Sequence, residues 1–317
     1  MPPRITVPNE NGTIPPDLIP DPDLNDTNSD DTFAGVPIIS ARAQTQDAFN
    51  ALIYAYPGVG KTSLAGMFAA YPPACDVLVV DAEGGASVLS HLDNVFIAQV
   101  KSWRETDRIM TTLERTPKAK QRFHTVIFDN LTEYHAMLLQ SIAGTGAVEI
   151  QHHGRATSEI MRFSRRARDL SRFLGINTIL IAWQDNKEDK TRGIIRQTVA
   201  LTDKLSARAP GIPNNVGYLT ILNNPPLYTR KLSFAASPLN DAKFRRAPGD
   251  ESPSIPLEIF YGIDQNPVVD MLKTLYEGVP FPEARYQRPK GRGKTKVVDP
   301  DDNTADSDAP EPVSATE

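Results

Sequence analysis

Leu52-Ile53-Tyr54-Ala55-Tyr56-Pro57-Gly58-Val59-Gly60-Lys61-Thr62-Ser63 decides how the rest of the chain is read. The apolar run Ala51 to Tyr54 predicts a strand, Pro57 to Gly60 a turn, and residues 61–70 carry a helical pattern. Gly-Lys-Thr between a strand and a helix is the position of a phosphate-binding loop. Glycines there let backbone N–H groups turn inward around phosphate oxygens, and the helix start adds the positive end of its dipole. Lys61 then reaches the β- and γ-phosphates, and the Thr62 hydroxyl ligates magnesium. The expected cofactors are ATP and Mg2+, held by Pro57, Gly58, Val59, Gly60, Lys61, Thr62 and Ser63. Ala55 occupies the place where the pattern G-x-x-x-x-G-K-[ST] has its first glycine. Alanine serves if that position needs no positive φ. A second tripeptide, Gly293-Lys294-Thr295, lies in a basic Pro/Gly run with no strand before it or helix after it, and reads as a solvated arm.

Working outward, short apolar runs alternate with helical periodicity, the pattern of βαβ units. Strands are expected at Ala51 to Tyr54, Val77 to Val80, Val95 to Val100, Thr125 to Phe128 and Thr178 to Ala182, with helices near 61–70, 103–115, 131–142 and 156–174. An antiparallel pair, Val216 to Leu222 and Tyr228 to Phe234, should extend one edge of the sheet, and residues 267–277 suit a last helix. The expected class is α/β: a P-loop core with a mainly parallel central sheet, helices on both faces and an antiparallel edge extension. His124-Thr125-Val126-Ile127-Phe128-Asp129 is an apolar strand ending in a carboxylate. That arrangement holds the magnesium shell beside a P-loop (Walker B), making Thr62 and Asp129 the expected metal residues. Val77 to Val80 leads into Asp81-Ala82-Glu83, which puts Glu83 at the carboxyl end of a strand, where open α/β sheets bind their ligands. Glu83 there can orient or deprotonate the attacking water; a turn-starting acid would look the same.

The composition sets limits. The chain of 317 residues has 34 Lys plus Arg against 39 Asp plus Glu, for a net charge of -5. The ends account for the sign. Residues 1–32 hold one basic and seven acidic residues and residues 297–317 none and seven, so the remainder carries 33 basic against 25 acidic, or +8. Residues 1–32, with seven prolines, are expected to be a disordered acidic arm. The ATPase domain is placed at 33–284, and 285–317 is expected to be a disordered basic-then-acidic tail. One cysteine, Cys75, excludes an intramolecular disulfide and fits a reducing cytoplasm. No apolar run approaches the roughly 20 residues of a membrane span, so no membrane partner is expected. His152 and His153 lack the acidic or cysteine partners of a metal site.

With Lys61, Glu83 and Asp129 in this order, the chain resembles the RecA-type ATPases, in particular the short phage and prophage RecA-core proteins of single-strand annealing and recombination, often labelled AAA-family ATPases. The resemblance covers roughly residues 40–265. It implies that Lys61 and Glu83 are catalytic and that Gln184, ending Ile179-Leu180-Ile181-Ala182-Trp183, senses the γ-phosphate and leads into a DNA-binding loop. It further implies single-stranded-DNA loops near Ala143 to Arg155 and Asp185 to Pro210. The second contains Lys187, Lys190, Arg192, Arg196, Lys204 and Arg208. Arg162, Arg165 and Arg166 share one face of the helix after the first loop, suiting DNA or a subunit contact equally. Family members complete the site across a subunit boundary, which makes Lys243, Arg245 and Arg246 candidates to act in trans. The implied partners are single-stranded DNA, further copies in a ring or filament, and a single-strand-binding protein, in a bacterial host cytoplasm. A helicase, helicase loader or packaging ATPase, and a nucleotide-switched assembly protein without DNA work, remain alternatives.

Overall fold

The computed structural model describes residues 48–190, 193–222, 228–245 and 254–288, with the backbone alone at Asp203 and in the short strands Thr32–Phe33 and Val36–Pro37. The compact unit runs to Gln287, with Tyr286 buried against Phe281. The expected N-terminal arm, apart from Thr32, and nearly all of the expected tail, including Gly293-Lys294-Thr295, lie outside the described residues.

The core is one nine-stranded sheet. Its strands are β1 (Asn50–Ala55), β2 (Val77–Asp81), β3 (Val95–Gln99), β4 (Thr125–Asp129), β5 (Asn177–Asp189), β6 (Ile194–Val199), β7 (Asn215–Leu222), β8 (Thr229–Ser233) and β9 (Glu258–Tyr261). The order is β9-β8-β7-β1-β5-β4-β2-β3, with β6 hairpinned onto β5. Every pairing from β7 through β3 is parallel, while β7–β8, β8–β9 and β5–β6 are antiparallel. The expected α/β class with an antiparallel edge is what the chain adopts.

Alternation along the central strands fills two cores. Ala51, Ile53 and Ala55 of β1 face one side with Val77, Val79, Ile127, Ile179 and Ile181, while Leu52 and Tyr54 face the other with Val80, Phe128 and Leu180. The first side is covered by α1 (Lys61–Gly66) and α6 (Pro267–Glu277); the second by α2 (Trp103–Arg115), α3 (Leu131–Ala143), α4 (Ile150–Asp169) and α5 (Asp203–Arg208). α2 starts where Ser102 caps the Glu105 N–H, and α3 where Asn130 caps the Glu133 N–H. α1 tightens into a 3-10 turn at Met67–Ala70 rather than staying α-helical to residue 70. Gly66 lets Leu89 approach so closely that an added Cβ would lie 2.4 Å from Leu89 Cδ2. α4 begins at Ile150, earlier than expected, because His152 Nδ1 accepts the Glu149 N–H at 3.0 Å. Among the described residues, no helix is long and apolar enough to cross a membrane.

Candidate nucleotide site

The carboxyl ends of β1, β2 and β4 lie side by side with the middle of β5, pairing Asp81 with Asp129 and Ala55 with Trp183. β1 is buried throughout and delivers the chain into the turn Tyr56–Gly60 at the middle of this edge. Gly58 and Gly60 take φ of 78° and 103°, which side chains disfavour. Ala55 is an extended strand residue with no positive φ, so alanine fits without strain. Lys61 opens α1, 7% exposed, and its Nζ donates to the Tyr56 and Ala55 carbonyls at 3.1 and 3.3 Å. Burial pulls its pKa down, while Asp129 and Glu83 pull the other way.

Thr62 Oγ1 donates to Asp129 Oδ2 at 2.6 Å. Asp129 is 2% exposed, and its Oδ1 has no hydrogen-bond partner. Burial pushes its pKa up to about 6; the Thr62 bond opposes this, and the Glu83 carboxylate adds to it. One hydroxyl and one carboxylate, both hard oxygen donors, suit an ion that keeps much of its water, as magnesium does.

Glu83 faces the same edge. Its carboxylate accepts the Asn130 amide at 2.5 Å and the Trp183 indole N–H at 3.1 Å. Asp81 shapes the turn that carries it by accepting the backbone N–H groups of Glu83, Gly84 and Ala86 at 2.8–3.1 Å. The structure therefore brings Lys61, Thr62, Glu83 and Asp129 together from three strand ends. Asn130 and Trp183 escaped the sequence reading, although each is adjacent to a residue it singled out. Gln184 is buried next to Trp183; its Nε2 donates to Asn186 Oδ1 at 3.1 Å, and its Oε1 is unpartnered. Asn186 in turn donates to the Tyr56 hydroxyl, tying the turn after β1 to β5.

A family model described as an AAA domain matches residues 48–246, more than half of the chain. The chain belongs to this AAA-domain family. No curated protein sequence matches it. The crystal structure of the RadB recombinase is similar at 19% identity, covering 67% of this chain and 86% of RadB, with a TM-score of 0.39.

The basic candidates of this AAA-domain chain divide between ion-paired and exposed positions. Arg166 bridges Asp107 at 2.5 Å and Glu114 at 2.7 Å on α2. Arg162 pairs with Glu159 on its own helix, and Arg165 is exposed. The second expected loop is mostly ordered structure. β5 continues to Asp189 and pairs with β6, Lys187 opposite Arg196, and α5 follows. Arg196 is bound by Asp241, and Lys190 is exposed. Arg192 lies outside the described residues. The first expected loop is shortened by α4 to residues 144–149. Lys243 bridges to Val216, which is level with Leu52, at the end of β1 away from the P-loop. Its Nζ donates to the Pro210 and Gly211 carbonyls, and Arg245 Nη1 to Asn214 Oδ1. Burial, then Arg245, lowers the Lys243 pKa. Arg246 lies outside the described residues. His152 serves as a helix cap.

Proposed function

We propose that this chain is a Mg2+-dependent ATPase that binds single-stranded DNA and serves recombination or annealing as a self-assembling ring or filament. The convergence of Thr62 and Asp129 at 2.6 Å, beside buried Lys61 and with Glu83 at the same sheet edge, carries the reading. That convergence supports reading residues 56–63 as the phosphate-binding loop, Thr62 with Asp129 as the metal pair and Glu83 as the water-orienting carboxylate.

In this mechanism Lys61, now satisfied by two carbonyls, transfers its N–H groups to phosphate oxygens, and Thr62 with Asp129 would hold the metal. Magnesium bound there would supply neutralisation of phosphate charge. Glu83, fixed by Asn130 and Trp183, orients the attacking water and takes its proton. Gln184 offers an unpartnered amide oxygen and reports the state of the site through Asn186 to the β5–β6 hairpin. Lys243, Arg245 or Arg246 acts in a neighbour's site, since Lys243 and Arg245 lie away from the chain's own P-loop.

On this reading the base is assigned to a cavity of about 490 Å³ beside Gly60 and Ser63. Val88 and Ile263 line it while 53% and 71% exposed, and Gln265 and Asn266 add polar groups to the lining.

The deciding measurement is ATP turnover with Mg2+, with and without single-stranded DNA, at two salt concentrations, beside Lys61→Ala. Lys61-dependent turnover that DNA stimulates and added salt suppresses is the expected result. Lys61-dependent turnover indifferent to any nucleic acid would remove the DNA assignment and leave an ATPase whose partner is protein. Strand unwinding would make it a helicase.

A further inference from the structure

Arg230 on β8 is half-buried, and its guanidinium lies against the P-loop from the β8–β9 side. Its Nε donates to the Val59 carbonyl at 2.9 Å. A Cβ added at Gly60 would stand 2.9 Å from that Nε, 3.4 Å from Nη2 and 3.5 Å from Cζ, so the guanidinium rests on the bare α-carbon of Gly60. Gly60 is thus required twice, by its φ of 103° and by this close approach.

The Val59 carbonyl and the Gly60 N–H belong to one trans peptide, in which the two dipoles point in opposite directions. Anchoring the oxygen on Arg230, outside the loop, aims the Gly60 N–H inward, where a P-loop meets phosphate. We propose that Arg230 is a positioning residue of the nucleotide site, acting through the Val59–Gly60 peptide to present the Gly60 N–H to the β-phosphate. This rests on the reading of residues 56–63 as a nucleotide-binding loop. Nothing in the family resemblance points to Arg230, and the contact spans 171 residues of sequence.

Glutamine and methionine separate the hydrogen bond from bulk and charge. Gln Nε2 sits where Arg Nε sits and still donates, whereas the methionine methyl at that place does not. Binding of ADP and of AMP is measured for wild type, Arg230→Gln and Arg230→Met, with thermal unfolding of each protein. The expected result is ADP affinity weakened about tenfold in Arg230→Met and within about threefold of wild type in Arg230→Gln, in line with loss of one charge-assisted bond. AMP, lacking the β-phosphate, is expected to stay within about threefold of wild type in both variants, the other link of Arg230 to the site being that it borders the adjacent cavity. Wild-type ADP binding by Arg230→Met, equal losses in the two variants, or ADP and AMP falling together would each overturn the proposal. Should wild type bind neither nucleotide, the underlying site reading fails before any variant is compared, and the role of Arg230 goes with it.

Discussion

Asp129 shows how much a binding site costs the fold at the scale of one residue. Its carboxyl titrates at about 6 instead of 3.8, mainly through burial, so the folded chain holds the proton more tightly than the unfolded chain. With a raised folded pKa, the stability linked to this group is fully present below 3.8 and is lost as pH rises through about 6. Asp129→Asn, which keeps an acceptor for Thr62 and removes the charge, is therefore expected to raise the unfolding free energy of the nucleotide-free protein at pH 7.5 by about 1–3 kcal/mol. That gain should shrink towards pH 4, and the variant should lose Mg2+-dependent nucleotide binding. Denaturant unfolding at the two pH values checks it, and a destabilised variant at pH 7.5 would count against a buried charge at this position. Glu83 is exposed and pinned from two sides, so Glu83→Gln should retain ATP while its turnover drops about 10²- to 10⁴-fold, the usual worth of a positioned base. Near-normal turnover in steady-state assays would remove Glu83 from the mechanism.

At the scale of elements, the β5–β6 hairpin differs most from its sequence reading. β5 was legible as far as Ala182 from its apolar run and to Gln184 from the family resemblance, but no further, because Asp185-Asn186-Lys187-Glu188-Asp189 is polar and resembles a loop. Its backbone bonds are supplied by β6, whose own pattern is too short and mixed to announce a strand. The Gln184–Asn186–Tyr56 chain then connects the hairpin to the loop after β1. Asn186→Ala should cut that connection, so that the ratio of DNA-stimulated to basal turnover falls towards one. An unchanged ratio would mean that the hairpin senses nucleotide by another route. α2 and α6, by contrast, were legible to the residue. Ser102 and Glu105 mark one start; Asn266 followed by Pro267, and Gly278 after the last turn, bound the other.

At the scale of the whole molecule, one cation ties together two helices distant in sequence. Arg166 joins α4 to α2 by satisfying Asp107, Thr111 and Glu114 together, with its side chain 19% exposed. Arg166→Ala is expected to lower unfolding free energy by about 1–2 kcal/mol after allowing for solvent screening of its partners, and to leave DNA affinity unchanged. A denaturation curve and a DNA titration test both halves, and lost DNA binding in a stable variant would restore the reading from sequence. The sequence by itself determined the α/β class, the central strands, the phosphate-binding turn and the carboxylates at strand ends. Those features rest on local periodicity, glycine conformation and chain order, all carried by neighbouring residues. The tertiary structure alone decided which basic residues are spent inside the fold, that β5 runs on into a hairpin, and that Arg230 reaches Gly60. These depend on contacts between residues far apart in the chain, and the partner that neutralises a charge or completes a strand leaves no mark in the local pattern.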